Sequence, residues 1–282
     1  MGPAPSSLEE PYRGRALPPA SARYWSWLFA APDLRAPLLG IYALMAEWRA
    51  LTDPSTDPSV ARLKLAWWQE EISRLSRAAP VHPISRYLAG LPRAGCVDFA
   101  PLNAPIEAGA RQIAGAPLEQ GAELEAHSGA FWATPMMIAA RLAREPSAQS
   151  EQAVERCVGA LAAGEYLKDA IGDYGREARC GRVIFPIDEL LAAGIEDADL
   201  TAAEPPLPLQ SYLEGLRRRA LQWYADSISL LPRAQHAPSR HLLVLAALGA
   251  RHLNTRETHA GDFRLRDLYL AGSTARRAAR QG

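Results

Sequence analysis

The sequence predicts an all-α protein, on three observations. Alanine and leucine recur at three- and four-residue spacing along the chain, alternating apolar and polar runs rich in β-branched residues are missing, and proline clusters separate the helical stretches. Residues 1–19 are rich in proline and read as a flexible tail. A first helix is expected from about Ala20 to Phe29. A second, from Leu34, carries Leu38, Leu39, Tyr42, Leu44 and Met45 and stops where Asp53, Pro54, Asp57 and Pro58 break the pattern. A third runs from Val60 to Ser76 through Leu63, Leu65, Trp67, Trp68 and Ile72. Prolines at 80–83, 101–105 and 205–208 mark interhelical loops, Leu124 to Leu142 is small and apolar, and long helices are expected from Glu151, from Leu209 to Leu231 and from Ser239 to His252. Residues 273–282 form a basic tail. No internal repeat or shift in composition divides residues 20–272, so they are read as one domain.

Composition narrows the function classes. With 31 basic and 31 acidic residues there is no global field to gather nucleic acid. Cys96, Cys157 and Cys180 lie far apart and lack metal-ligand spacing with the histidines, so neither a disulfide framework nor a zinc site is expected. No apolar run is long enough to span a bilayer, and Met1 to Arg15 lacks the basic-then-apolar order of a signal peptide. A cytoplasmic protein is expected, with peripheral contact to a membrane surface left open.

The feature that points to chemistry is an acidic stripe. Glu165, Asp169, Asp173 and Glu177 follow one another at four-residue steps, so on a helix they stack along one side, where like charges are destabilising. A cation should compensate. One candidate is a hard divalent ion such as Mg2+, which takes oxygen ligands and a substrate phosphate; the other is nearby arginine or lysine. Leu161, Ala162, Tyr166, Leu167, Ala170 and Ile171 surround the stripe with apolar surface, which favours a polar cavity over a freely solvated face.

The stripe ends in Asp173, Glu177, Gly181, Arg182 and Pro186, and with that ending the chain resembles the squalene and phytoene synthase family. Pro32 and Arg35 ahead of Tyr42, Trp68 with Glu71, and Leu231-Pro232 with Arg240 extend the resemblance over roughly residues 22–254. It implies an isoprenoid-synthase-type helical bundle around a central cavity. There, two acid-rich motifs would face each other, hold Mg2+ and condense two prenyl diphosphates head to head. Carried onto this chain, Asp173, Glu177 and Asp53 would be catalytic, the same three with Asp169 would bind metal, and Arg182, Arg179 and Arg23 would hold the diphosphate.

Departures from the family pattern fall on the chemistry. Arg49 stands where the first metal-binding aspartate belongs, and an arginine is always protonated and has no acceptor for a metal. His127 and Ser128 replace a tyrosine-cysteine pair, Trp132 replaces a small residue at a lining position, and Arg23 replaces a serine. These changes are similar to those of a divergent branch that includes phytoene-synthase-like mitochondrial complex I assembly factors. Arg23-Tyr24, Leu63-Lys64-Leu65-Ala66-Trp67-Trp68 and the stretch from Val183 through Asp188 are shared with that branch. Two functions follow from the resemblance: Mg2+-assisted handling of prenyl diphosphates, weakened by the degraded first motif, and a non-catalytic assembly or scaffolding role that takes a protein partner. Arg49 is expected either to bridge to Asp169 or Asp173 or to point away into solvent. His127 is either a proton shuttle or a hydrogen-bonded core residue, and of Trp67 and Trp68 one is expected in the core and the other at the surface.

Overall fold

A computed structural model describes residues 8–145, 147–255 and 265–281, and every regular element among them is helical. In chain order the α-helices are α1 (Glu10–Ala16), α2 (Ala22–Leu28), α3 (Pro32–Thr52), α4 (Pro58–Ser76), α5 (Pro83–Ala89), α6 (Asn103–Ile113), α7 (Glu123–Ser128), α8 (Thr134–Ala143), α9 (Ala148–Arg179), α10 (Ile187–Ala192), α11 (Asp197–Thr201), α12 (Leu207–Leu230), α13 (Arg233–His236), α14 (Arg240–Thr255) and α15 (Leu265–Gln281). The expected long helices are present, and the all-α class holds.

Prolines read as loop markers turn out to start helices. Pro11 lies in the first turn of α1, Pro83 opens α5 and Pro208 sits in the first turn of α12, while Pro101 and Pro105 enter a short 3-10 turn and the start of α6. The reason is that a first-turn N–H has no partner inside the helix, so its absence in proline costs nothing there. The tails change in the same way. Residues 1–7 lie outside the described residues, but α1 packs on α3, and residues 273–281 continue α15 against α13, α14 and α2. The small, apolar stretch after Leu124 is one rod made of α7, a π-helical turn at Gly129–Ala133 and α8.

Two helices organise the core. From Pro37 to Met45, α3 is buried on all sides, as expected of a helix that is apolar around its whole circumference. The 32 residues of α9 lie chiefly along α12, with α14, α11, α7 and the π-turn on its other sides. Ser147 caps the start of α9 by accepting from the Ser150 N–H, and Glu151 in the first turn suits the positive helix end. Close approach of α9, α12 and α14 requires small residues around Tyr224, whose ring lies between Gly164 and Gly249.

Both glycines leave no room for a side chain. A Cβ on Gly164 would lie 3.0 Å from the Tyr224 ring, and one on Gly249 would clash with the ring and its hydroxyl. Gly159, by contrast, is exposed in the interior of α9 with open space around it. Gly249→Ala should therefore lower the unfolding free energy by about 1–3 kcal/mol, whereas Gly159→Ala should raise it by about 0.5–1 kcal/mol. Urea denaturation measures both; a neutral Gly249→Ala would mean that Tyr224 is not held where the packing requires it.

Candidate functional site

Asp169, Asp173 and Glu177 of the acidic stripe form one wall of a cavity of about 150 Å3 bordered by α2, α3, α6, α7, the π-turn, α9 and the segment after α9. Its lining is mixed: Asp53, Asp169, Asp173 and Glu177 stand with Arg23, Arg49, Arg111, Arg176 and Arg182, and Met45, Trp48, Leu118, Phe131, Trp132 and Ile184 supply apolar surface. Of the residues expected to be catalytic, to bind metal or to hold a diphosphate, Arg179 alone is absent from this lining; it is exposed in the last turn of α9.

Each carboxylate of the stripe has a cationic partner. Arg49, at the end of α3, spans two of them, with Nη1 2.6 Å from Asp169 Oδ2 and Nη2 3.5 Å from Asp173 Oδ2. Asp53 and Asp173 share Arg176, at 2.7 and 3.4 Å. Lys168 pairs with Glu165 and lies 3.8 Å from Asp169. Of the two outcomes open for Arg49, the bridge to the acids is the one observed.

The Gly181-Arg182 ending has a structural explanation. Gly181 adopts φ +74°, a left-handed conformation that is nearly free for glycine and costly for other residues, and the Arg182 N–H returns to the Glu177 carbonyl. This turn folds Arg182 beneath the last turn of α9. Buried there, its Nη1 donates to the Thr52 carbonyl at 2.8 Å and reaches Glu177 Oε2 at 3.5 Å. Gln112 from α6 approaches the other Glu177 oxygen at 3.5 Å. Thus α3, α6 and α9 meet at one carboxylate.

Proton affinities follow from these surroundings. Two hydrogen bonds from Ser55, then the ion pair with Arg176, hold Asp53 down at about 2. Burial pushes Asp169 up, but Arg49 and then Lys168 outweigh it and keep the group below the usual carboxylate range. Burial raises Glu177 despite Arg182. Beneath the wall, the Tyr224 hydroxyl donates to Glu165 at 2.8 Å; burial and then Glu165 move that phenol well above its ordinary value. His127 packs edge-on against Phe131 and Tyr166, and burial followed by Arg111 lowers it to about 4, so the imidazole is neutral at pH 7.

Oxygen donors of the kind Mg2+ takes are present, but their arrangement does not fit it. Every one of Asp53, Asp169, Asp173 and Glu177 is engaged by a guanidinium, and among the described residues no group of three or more His, Cys, Asp or Glu side chains converges to hold a metal ion. What the charged part of the lining offers a ligand is a set of guanidinium forks matched to phosphate or carboxylate oxygens. The sequence reading did not reach Arg111 and Gln112, which sit on α6; it read only residues 101–105 as a loop and assigned no element to those that follow. Nor did it pair Arg176 with Asp53, 123 residues away. The tryptophans divide as expected, Trp68 buried and Trp67 40 % exposed.

The position of His127 sets a pH dependence. Its folded-state value of about 4 lies below the ordinary 6.5, so between these values the unfolded chain binds the proton first. Stability should fall as pH drops from about 6.5 to about 4. His241, buried and lowered to about 3, adds a second loss that continues further into acid. His127→Gln should flatten the pH 6.5 to 4 portion of the stability curve, measured by urea denaturation across pH; an unchanged slope would place the titration elsewhere.

Residues 19–274 match the model of the squalene/phytoene synthase family. Among curated proteins, the chain is 22 % identical over 210 residues to phytoene synthase 1, chloroplastic, of Arabidopsis thaliana, covering 74 % of this chain and 50 % of that one. It is 21 % identical over 214 residues to the chloroplastic phytoene synthase of Cucumis melo, with the same coverage. The chain thus spans about half the length of these relatives. Among solved structures, it superposes on a dehydrosqualene synthase in complex with ligand with a TM-score of 0.72, at 14 % identity, over 96 % of this chain and 99 % of that one. The squalene synthase HpnC from Alicyclobacillus acidocaldarius gives a TM-score of 0.66 at 18 % identity, over 86 % and 90 %. At these identities the two structures speak for the fold, an isoprenoid-synthase-type bundle. The family match runs through α2 to α14 and takes in both walls of the cavity, so this chain belongs to the squalene/phytoene synthase family.

Proposed function

We propose that this protein handles prenyl diphosphates as the family does, but holds the diphosphate with arginines in place of a two-sided Mg2+ clamp, so that binding is retained and head-to-head prenyl transfer is weakened. The observation that carries this reading is the fork of Arg49 across Asp169 and Asp173. A cavity lined both by guanidinium groups and by Trp48, Phe131 and Trp132 suits an amphiphile with an anionic head and an apolar tail. The bulk of Trp132 in that lining favours a short chain.

In this reading Arg23, Arg49 and Arg182 supply hydrogen bonds and charge to the diphosphate oxygens. Asp169, Asp173 and Glu177 orient the guanidinium groups, and His127, neutral, contributes an apolar edge rather than a proton. Ionisation of the allylic diphosphate needs strong neutralisation of the departing charge. Guanidinium groups already shared with carboxylates provide less of it than divalent ions do, and this is why turnover is weak.

Titration calorimetry with farnesyl thiodiphosphate tests the proposal. Binding should persist in a chelator, change little on adding Mg2+, and weaken about tenfold or more in Arg49→Ala, the worth of a hydrogen bond to a charged group. Binding that requires Mg2+ and disappears in Asp173→Ala would overturn it. Arg49→Asp supplies a complementary test: the wall then gains like charges, the melting temperature should drop, and Mg2+ should restore it while leaving the unmodified protein unmoved.

A second reading, the non-catalytic assembly or scaffolding role, is favoured by one observation. Along α4, Val60, Leu63 and Trp67 form an exposed apolar stripe, with Leu63 73 % exposed. If a protein partner on that stripe is the function, then in a strain lacking the gene Leu63→Asp should fail to restore the phenotype, while Asp173→Ala and Arg49→Ala should restore it.

A further inference from the structure

Helix α15 presents one face to solvent. Its inner side, Asp267, Ala271, Gly272, Ala275 and Ala278, is buried against α14 and α2, closely enough that a Cβ on Gly272 would lie 3.3 Å from the Phe29 ring. The opposite side carries Leu265, Arg266, Tyr269, Arg276, Arg277 and Arg280, which share roughly 120° of the helix circumference at 3.6 residues per turn. All six are exposed, Leu265 at 71 % and Tyr269 at 73 %. The helix has a single acid, Asp267, and it is turned inward to Arg251 and His252. Four arginines therefore face solvent with no carboxylate of their own helix among them, on a chain whose overall charge is zero.

We infer that this face of α15 docks the protein on an anionic lipid bilayer. The charge selects an anionic partner. The two large apolar side chains one turn apart select a surface with an apolar interior beneath its charged layer, which nucleic acid lacks. Tyrosine and leucine at the boundary of headgroup and acyl chain, with arginines reaching the phosphates beside them, is the arrangement of a helix that lies on a membrane rather than crossing it. Among the described residues no helix is long and apolar enough to cross. The inference is independent of what the cavity binds.

Vesicle flotation of the full chain tests it. With vesicles of phosphatidylcholine and phosphatidylglycerol the protein should float at low salt, less so at high salt, and it should not float with phosphatidylcholine alone. Replacing Arg276, Arg277 and Arg280 together by glutamine should weaken partitioning on the order of 100-fold, since each basic residue near such a surface contributes about 1 kcal/mol. Leu265→Ser with Tyr269→Ser should reduce the part of binding that survives high salt. All five positions are exposed, so melting temperatures should be unchanged. Leu63→Ser on α4 serves as the control and should float like the unmodified protein. Absence of flotation with anionic vesicles, a triple variant that binds normally, loss of binding in Leu63→Ser, or preference for a short DNA duplex over the vesicles would each overturn the inference.

Discussion

The structure depends on neutralising one side of α9. Four carboxylates at four-residue steps repel one another by about 0.2–0.5 kcal/mol per pair in an isolated helix, and burying the helix would make this worse. Each is answered: Glu165 by Lys168 and Tyr224, Asp169 and Asp173 by Arg49, Asp173 also by Arg176, and Glu177 by Arg182. Arg49 is half exposed to the cavity, and pairs of that kind contribute roughly 0–1 kcal/mol each. Their importance lies in position more than in net stability. They require the end of α3 and the segment after α9 to converge on the same wall.

The deepest of these contacts does the most to fix that geometry. Arg182 and Glu177 are both nearly inaccessible to solvent, and removing one partner of such a pair leaves a charge with nowhere to go. Arg182 also holds the Thr52 carbonyl, which the end of α3 leaves without a helical partner. The same guanidinium thus closes two helix ends, and it can do so because Gly181 turns the chain back at positive φ. On the other side of α9, Gly164 and Gly249 admit Tyr224, whose hydroxyl meets Glu165. Packing and charge satisfaction on α9 are therefore one arrangement.

How much of this could be read from the sequence depends on the range of the interaction. Helix class and the long helices follow from local periodicity, and the acidic stripe is legible because its spacing is a property of one helix. Short helices α1, α5 and α6 were hidden by their prolines, which break a helix in the interior but begin one in the first turn. The bridge from Arg49 to the stripe was within reach because resemblance to a family with two facing motifs brings residues 120 positions apart together. Arg176 with Asp53 had no such guide. Nothing local distinguishes it from Arg179, three residues on, which faces solvent. The basic end of the chain read as a tail because arginine-rich composition masks the alanine and glycine positions that α15 buries.

A guanidinium in place of a metal ion changes what the wall can do. It carries one charge instead of two, it only donates, and it is tethered to α3 whether or not a ligand is present. Here the acids are satisfied before any ligand arrives, because Arg49 already spans Asp169 and Asp173. On the function proposed above, a diphosphate would have to share Arg49 with these two carboxylates, and the electrostatic gain available on its departure would be smaller for it. In that reading, stability of the wall and power of the site are set against each other through a single side chain, Arg49.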